Sequence, residues 1–168
     1  MRTLIPSKVE VLFNVAQDSF YHPVYYTAVS SGLRQAELLG LRWRDIDLDL
    51  HSISVNRVLY KRRGVCEVKE PKTAHSRRRI SMTPKLALYL REYRLEREKL
   101  YLELGLKFTL DSLVFAYPDG RPLDPSMLSH DFARIAKQAG LAGVRFHDLR
   151  HTFYQPYVTA WGKAESYQ

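Results

Sequence analysis

Apolar residues along the chain recur with two periods, and the changes between them mark out the elements. Val9, Leu12, Phe13 and Ala16 fall at helical spacing behind Pro6 and Ser7, which predicts a first helix over 7–18. A second helix is predicted over 22–31, stopped by Gly32, and a short third from about Arg34 to Leu39. Leu41 to Asp47 reads as a turn leading into strands. The period then shortens to two. Ser52 to Leu59 alternates through Ile53, Val55 and Arg57, Gly64 separates it from Val65 to Glu70, and Arg78 to Met82 follows a turn at Pro71–Ser76. Helical spacing returns behind Thr83-Pro84, a cap and first-turn pair, and predicts a long helix over 84–104. Leu113 to Ala116 is a short apolar segment, and Pro118 to Pro122 a turn. Asp124-Pro125 opens a helix to about Ala139 that ends at Gly140, and a last helix begins near His147.

These elements describe an α+β protein, mainly α, with one small three-stranded antiparallel sheet. Leu38, Leu39, Leu41 and Trp43 are expected in the core, and Tyr25, Tyr26, Tyr89 and Tyr93 serve packing or the surface. With 168 residues, 45% of them hydrophobic, the chain is long enough to bury a core and too apolar to be disordered. No stretch is long enough to span a bilayer and no leading segment resembles a signal peptide, so no membrane partner is expected. The single cysteine, Cys66, allows no internal disulfide and no multi-cysteine metal site, which fits a reducing cytoplasm.

Charge changes the picture more than size does. The formal net charge is +8, and residues 56–100 hold 14 Lys/Arg against 5 Asp/Glu, while the rest of the chain holds 12 against 13. An excess confined to one stretch is the footprint expected of a surface that meets a polyanion. Part of that run, Arg91 to Lys99, reads as an ordinary solvated helix face.

Two arginines stand out within this frame. Arg34 lies in Ser31-Gly32-Leu33-Arg34-Gln35-Ala36-Glu37-Leu38, and Arg150 in His147-Asp148-Leu149-Arg150-His151-Thr152. A guanidinium fork can hold two oxygens of one phosphate, which an ammonium cannot. Between them lies the basic turn Pro71-Lys72-Thr73-Ala74-His75-Ser76-Arg77-Arg78-Arg79. These segments, with Leu41-Arg42-Trp43-Arg44-Asp45-Ile46-Asp47 and Phe146 to Phe153, resemble the catalytic domain of the tyrosine recombinases, the phage integrases. The resemblance runs from about Ile5 to Phe153.

It implies a helical catalytic domain acting on double-stranded DNA, in which a tyrosine attacks a phosphodiester to leave a 3′-phosphotyrosine and a free 5′-hydroxyl. The reaction is reversed by a partner strand and needs no metal or nucleotide cofactor. By position, Arg34 and Arg150 would clamp the non-bridging oxygens, Lys72 would protonate the departing 5′-oxygen, and His147 would assist proton transfer. Glu37 would orient Arg34, and His151 would support the site. The residues alone leave rivals for Lys72, since Lys69 and Arg77 to Arg79 are equally basic neighbours. His75 reads as a solvated turn residue.

Past Arg150 the pattern departs from the family. A helix, a Leu-Gly-His-type segment and a helix carrying the nucleophile are expected there, whereas 18 residues follow Arg150 and two average helices need about 23. Pro156 would also interrupt a continuing helix. The expectation is therefore a recombinase-like core over 1–153 and a divergent tail over 154–168, with no clamp domain ahead of it. Tyr154, Tyr157 and Tyr167 are available hydroxyls outside the family's nucleophile context, so the nucleophile is unassigned. The functional expectation is a site-specific recombinase domain, inactive by itself and monomeric in solution. The alternative is a remnant that occupies DNA, or an intact recombinase protomer, without cutting.

Overall fold

In chain order the elements are α1 (Pro6–Ala16), α2 (His22–Ser31), α3 (Gln35–Leu39), β1 (Ile46–Asp47), β2 (Ser52–Val55), β3 (Val58–Arg62), β4 (Val65–Lys69), β5 (Arg78–Ser81), α4 (Pro84–Glu103), α5 (Pro125–Gln138) and α6 (Phe146–Phe153). The computed structural model describes residues 2–153. Tyr154, Tyr157, Tyr167, Pro156 and the expected tail lie outside the described residues. The described residues form two compact units, residues 2–35 with 126–153, and residues 36–125. No helix among the described residues is long and apolar enough to cross a membrane.

The first unit is built from α1, α2, α5 and α6. Pro6 opens α1, whose Val9, Leu12, Phe13 and Ala16 are buried as their spacing requires. Leu128, Phe132, Ile135 and Ala136 form the buried stripe of α5. Phe132 and Phe146 meet Tyr25 of α2 edge-on or tilted, with ring centroids 5.3 and 5.9 Å away. The Tyr25 hydroxyl donates to Asp131 at 2.7 Å, which satisfies the one polar atom of that ring.

Gly32 ends α2 in the left-handed conformation, at φ 71°, and its N–H donates to the Ala28 carbonyl. α2 and α6 pack against each other. A Cβ on Gly32 would lie 2.5 Å from Cδ1 and 2.9 Å from Cγ of Phe153, so the close approach of α6 depends on the bare α-carbon.

The second unit holds the strands and α4. Here the sheet differs from the single meander expected. The segment Ser52–Leu59 breaks at Asn56–Arg57 into β2 and β3, which belong to different sheets. One sheet has the order β1-β2-β5, with Ile53 opposite both Ile46 and Ile80. The other is the hairpin β3-β4, from Val58 opposite Lys69 to Arg62 opposite Val65. Gly40 explains the place of the break. A Cβ there would sit 3.0 Å from the Arg57 carbonyl oxygen and the Val58 α-carbon, so the chain leaves the first sheet by passing directly over this glycine. The hairpin turns through Arg63 and Gly64, both with positive φ (51° and 77°), the two-residue turn that suits strand twist. The expected α4 is present, with the Thr83 hydroxyl accepting from the Leu86 N–H at 3.1 Å. Leu38, Leu39, Leu41 and Trp43 are buried, as expected.

Gly32→Ala is expected to destabilise the protein by about 1–3 kcal/mol, from left-handed strain plus displacement of the Phe153 ring. Urea unfolding would measure it, and a variant as stable as the parent would contradict this account of α6 packing.

Candidate active site

Four of the expected site residues gather in the first unit. Arg34 follows Gly32 on the loop after α2 and is exposed. That loop is held by Ser31, whose hydroxyl donates to the Thr27 carbonyl at 2.6 Å and accepts from the Leu33 N–H at 3.3 Å. His147, Arg150 and His151 share one side of α6, as residues three and four apart must. The two imidazoles meet edge to face with centroids 4.9 Å apart.

The geometry of α6 is fixed by Asp148, a residue the motif contains but whose role the sequence reading did not assign. Its buried carboxylate accepts from the Arg145 N–H at 2.9 Å, closing the first turn of the helix, and from the Arg2 N–H at 3.3 Å. One turn later Thr152 donates to the Asp148 carbonyl and accepts from the Leu4 N–H. The segment Arg2–Leu4 is thus laid along α6 by two backbone N–H groups. An acidic residue in the first turn of a helix was the available signal.

The site is strongly cationic and only partly satisfied. The His147 imidazole is held below its ordinary value of 6.5, first by partial desolvation, then by the neighbouring His151 and Arg150, with a smaller push from Arg34; Asp148 opposes them. Its ring is therefore mainly neutral at pH 7. Arg150 Nη1 and His151 Nε2 are buried and have no hydrogen-bond partner among the described residues. Buried polar atoms left open are costly unless something occupies them part of the time. An anion bearing several acceptor oxygens would fit both.

Glu37 and Lys72 belong to the second unit. Glu37, buried in α3, receives both terminal nitrogens of Arg78, with Nη1–Oε1 2.8 Å and Nη2–Oε2 3.0 Å. Arg78 was expected only as a rival base. Its alternation along β5, half-buried beside an exposed Arg79, was the signal that it points inward. The other rivals of Lys72 are also engaged: Lys69 with Glu67, Arg77 with Glu70, and Arg79 with the Ser52 hydroxyl at 2.9 Å. Lys72 is exposed, its ammonium 6.0 Å from the centre of the Tyr60 ring, and it has no carboxylate partner among the described residues. His75 is exposed, as expected of a solvated turn residue.

Comparison with known proteins identifies the family. The family model described as "Phage integrase family" matches residues 6–160. The chain belongs to the phage integrase family. It is 34% identical over 139 residues to the ICEBs1 integrase of Bacillus subtilis, covering 82% of this chain and 38% of that protein. It is 31% identical over 142 residues to a XerC-like tyrosine recombinase of Caldanaerobacter subterraneus, covering 77% and 36%. The chain thus spans little more than a third of the length of these integrase-family relatives. Among solved structures, the Tn1549 transposon integrase in complex with circular intermediate DNA superposes with a TM-score of 0.75 at 24% identity, over 90% of this chain and 52% of that one. The XerA recombinase gives 0.66 at 21%, over 91% and 49%. These likenesses establish the mainly helical α+β fold of the recombinase catalytic domain.

If Arg150 and Arg34 surround His147 as described, neutralising either should let the imidazole hold its proton more easily. By NMR, the His147 titration midpoint should lie below 6.5 and rise in Arg150→Gln, and less so in Arg34→Gln. A midpoint unmoved in both folded variants would separate the three side chains.

Proposed function

We propose that this chain is the catalytic domain of a site-specific DNA recombinase, and that it grips a phosphodiester through Arg34, Arg150 and His147, with His151 in support. The observation that carries the reading is that Arg34, His147, Arg150 and His151 lie in one unit, with Arg150 Nη1 and His151 Nε2 buried and lacking partners among the described residues. The Tn1549 integrase, which shares the fold, was solved with DNA bound, and the basic stretch over 56–100 supplies a surface of matching charge.

In this reading the two guanidinium groups hold the non-bridging oxygens of the scissile phosphate. They gain strength as the phosphorus becomes pentacoordinate and the oxygens take up more charge. His147, neutral at pH 7, can exchange a proton or hydrogen bond with the same phosphate. Lys72 delivers a proton to the departing 5′-oxygen. It suits this role better than its neighbours because its ammonium is not already committed to a carboxylate, whereas Lys69, Arg77 and Arg78 are. Glu37 and His151 act in support. The attacking tyrosine stays unassigned, since Tyr154, Tyr157 and Tyr167 do not stand in the family's nucleophile context.

Two measurements on the 168-residue chain test this. Its affinity for duplex DNA should fall with salt, and Arg150→Ala should weaken it and lower the slope of log affinity against log salt by about 1, the loss of one phosphate contact. Incubation with labelled nicked duplexes, followed by denaturing electrophoresis, should give no covalent adduct. An adduct lost in both Arg34→Ala and Arg150→Ala would make one of the chain's tyrosines the nucleophile. DNA binding indifferent to salt and to Arg150 would overturn the reading itself.

A further inference from the structure

The turn that carries Lys72 joins two strands that do not pair with each other. Among the described residues, β4 is bonded only to β3, and β5 only to β2. No ladder therefore sets the distance between the two feet of the Pro71–Arg77 turn, as it would in a hairpin. Inside the turn, the Ser76 N–H donates to the Thr73 carbonyl at 3.1 Å, the Arg77 N–H to the Ala74 carbonyl at 3.2 Å, and the Thr73 and Ser76 hydroxyls meet at 2.8 Å. These bonds shape the turn, and the Arg77–Glu70 ion pair joins its two feet, but none of them ties it to a helix of the unit.

Arg78 is the first residue of β5, at the C-terminal foot. Its guanidinium grips both carboxylate oxygens of buried Glu37 in α3, and Nη1 also lies 3.5 Å from the Ser76 carbonyl. The backbone of the same residue is in register with Val55 of β2. One side chain thus ties the turn to the helix, while its own backbone ties it to the sheet. We propose that Arg78 is a positioning residue that anchors the Lys72 turn to α3 through Glu37. The functional meaning rests on the reading that Lys72 acts at the leaving oxygen. The bidentate geometry requires arginine, because a lysine at 78 would offer one point of contact in place of a planar fork. Glu37 acquires a second duty in this account: as a buried carboxylate facing a guanidinium, it is the fixed point on which the turn is hung.

The test is residue-resolved amide hydrogen exchange on the isotopically labelled 168-residue protein, comparing Arg78→Gln, Arg78→Lys, Glu37→Gln and the double variant Glu37→Gln/Arg78→Gln. Exchange at Ser76 and Arg77 is expected to speed up about tenfold in Arg78→Gln and in Glu37→Gln. The double variant should be no faster than the faster single one, because both remove the same interaction. Arg78→Lys should fall between parent and Arg78→Gln. Amides in the middle of α4, such as Leu90 and Arg94, should keep parental rates. The proposal is overturned if Ser76 and Arg77 exchange at parental rates in the folded variants. Equal acceleration in α4 would overturn it too, by reducing the pair to general stability. Should Arg78→Gln fail to fold, Arg78→Lys and Glu37→Gln decide the matter alone. The measurement uses no DNA, so failure of the anchor and failure of the recombinase reading are seen separately.

Discussion

Phe153 lies against the bare α-carbon of Gly32, and that contact lets the helix bearing His147 and Arg150 pack beside the loop bearing Arg34. Glycine answers two demands at once here. The chain must turn through a positive φ to leave α2, and it must offer no side chain to the incoming ring. Any other residue would add strain at the turn and push α6 outward by about the thickness of a methyl group. The proposed phosphate site would tolerate little of that, since the reach of two guanidinium forks is limited by where their backbones lie. The stability of the α2 end and the chemistry of the site are thus one constraint.

Bringing three cationic or potentially cationic groups around His147 is unfavourable without a counter-charge. The unit meets the cost in part with Asp148, whose carboxylate is buried directly beneath the site and spends its oxygens on backbone N–H groups. That choice keeps the helix start rigid and leaves the side-chain donors above it open. Had Asp148 paired with Arg150 instead, the arginine would be quenched and the helix uncapped. The buried, unmatched Nη1 of Arg150 and Nε2 of His151 are the residue of this arrangement. Unsatisfied polar groups of this kind cluster where a ligand completes the bonding.

Local chemistry made most of the fold readable in advance. Pro6, Thr83-Pro84, Gly32 and Gly140 each act through their own backbone preferences, so the helices they bound could be placed from the chain alone. The stripe Leu128, Phe132, Ile135 needed only periodicity. The break between β2 and β3 was hidden because it is imposed from elsewhere: Gly40 makes room for Arg57–Val58, and nothing in Ser52 to Leu59 announces that. The site divides the same way. Arg34, His147 and Arg150 were visible through motif and resemblance, whereas Arg78 looked like one more base in a basic run until its partner, 41 residues away, was known.

The second unit separates shape from reach in its strands. The sheet β1-β2-β5 carries buried Ile53 and Val55 in its centre, while the β3-β4 hairpin is mostly exposed, with Leu59 the one buried apolar residue of its strands. A two-stranded hairpin alone is only marginally stable, so its order comes from Leu59, buried near its open end, and from Lys61, close to its turn, which reaches Asp124 at 2.8 Å. The Lys72 turn hangs between this looser element and the firmer sheet. In the proposed role, an ammonium that arrives at a leaving oxygen only while the bond breaks would gain from such a mounting. One foot continues from the hairpin, and the other is held by a guanidinium on a buried carboxylate, so the two ends of the turn are mounted on elements of different firmness.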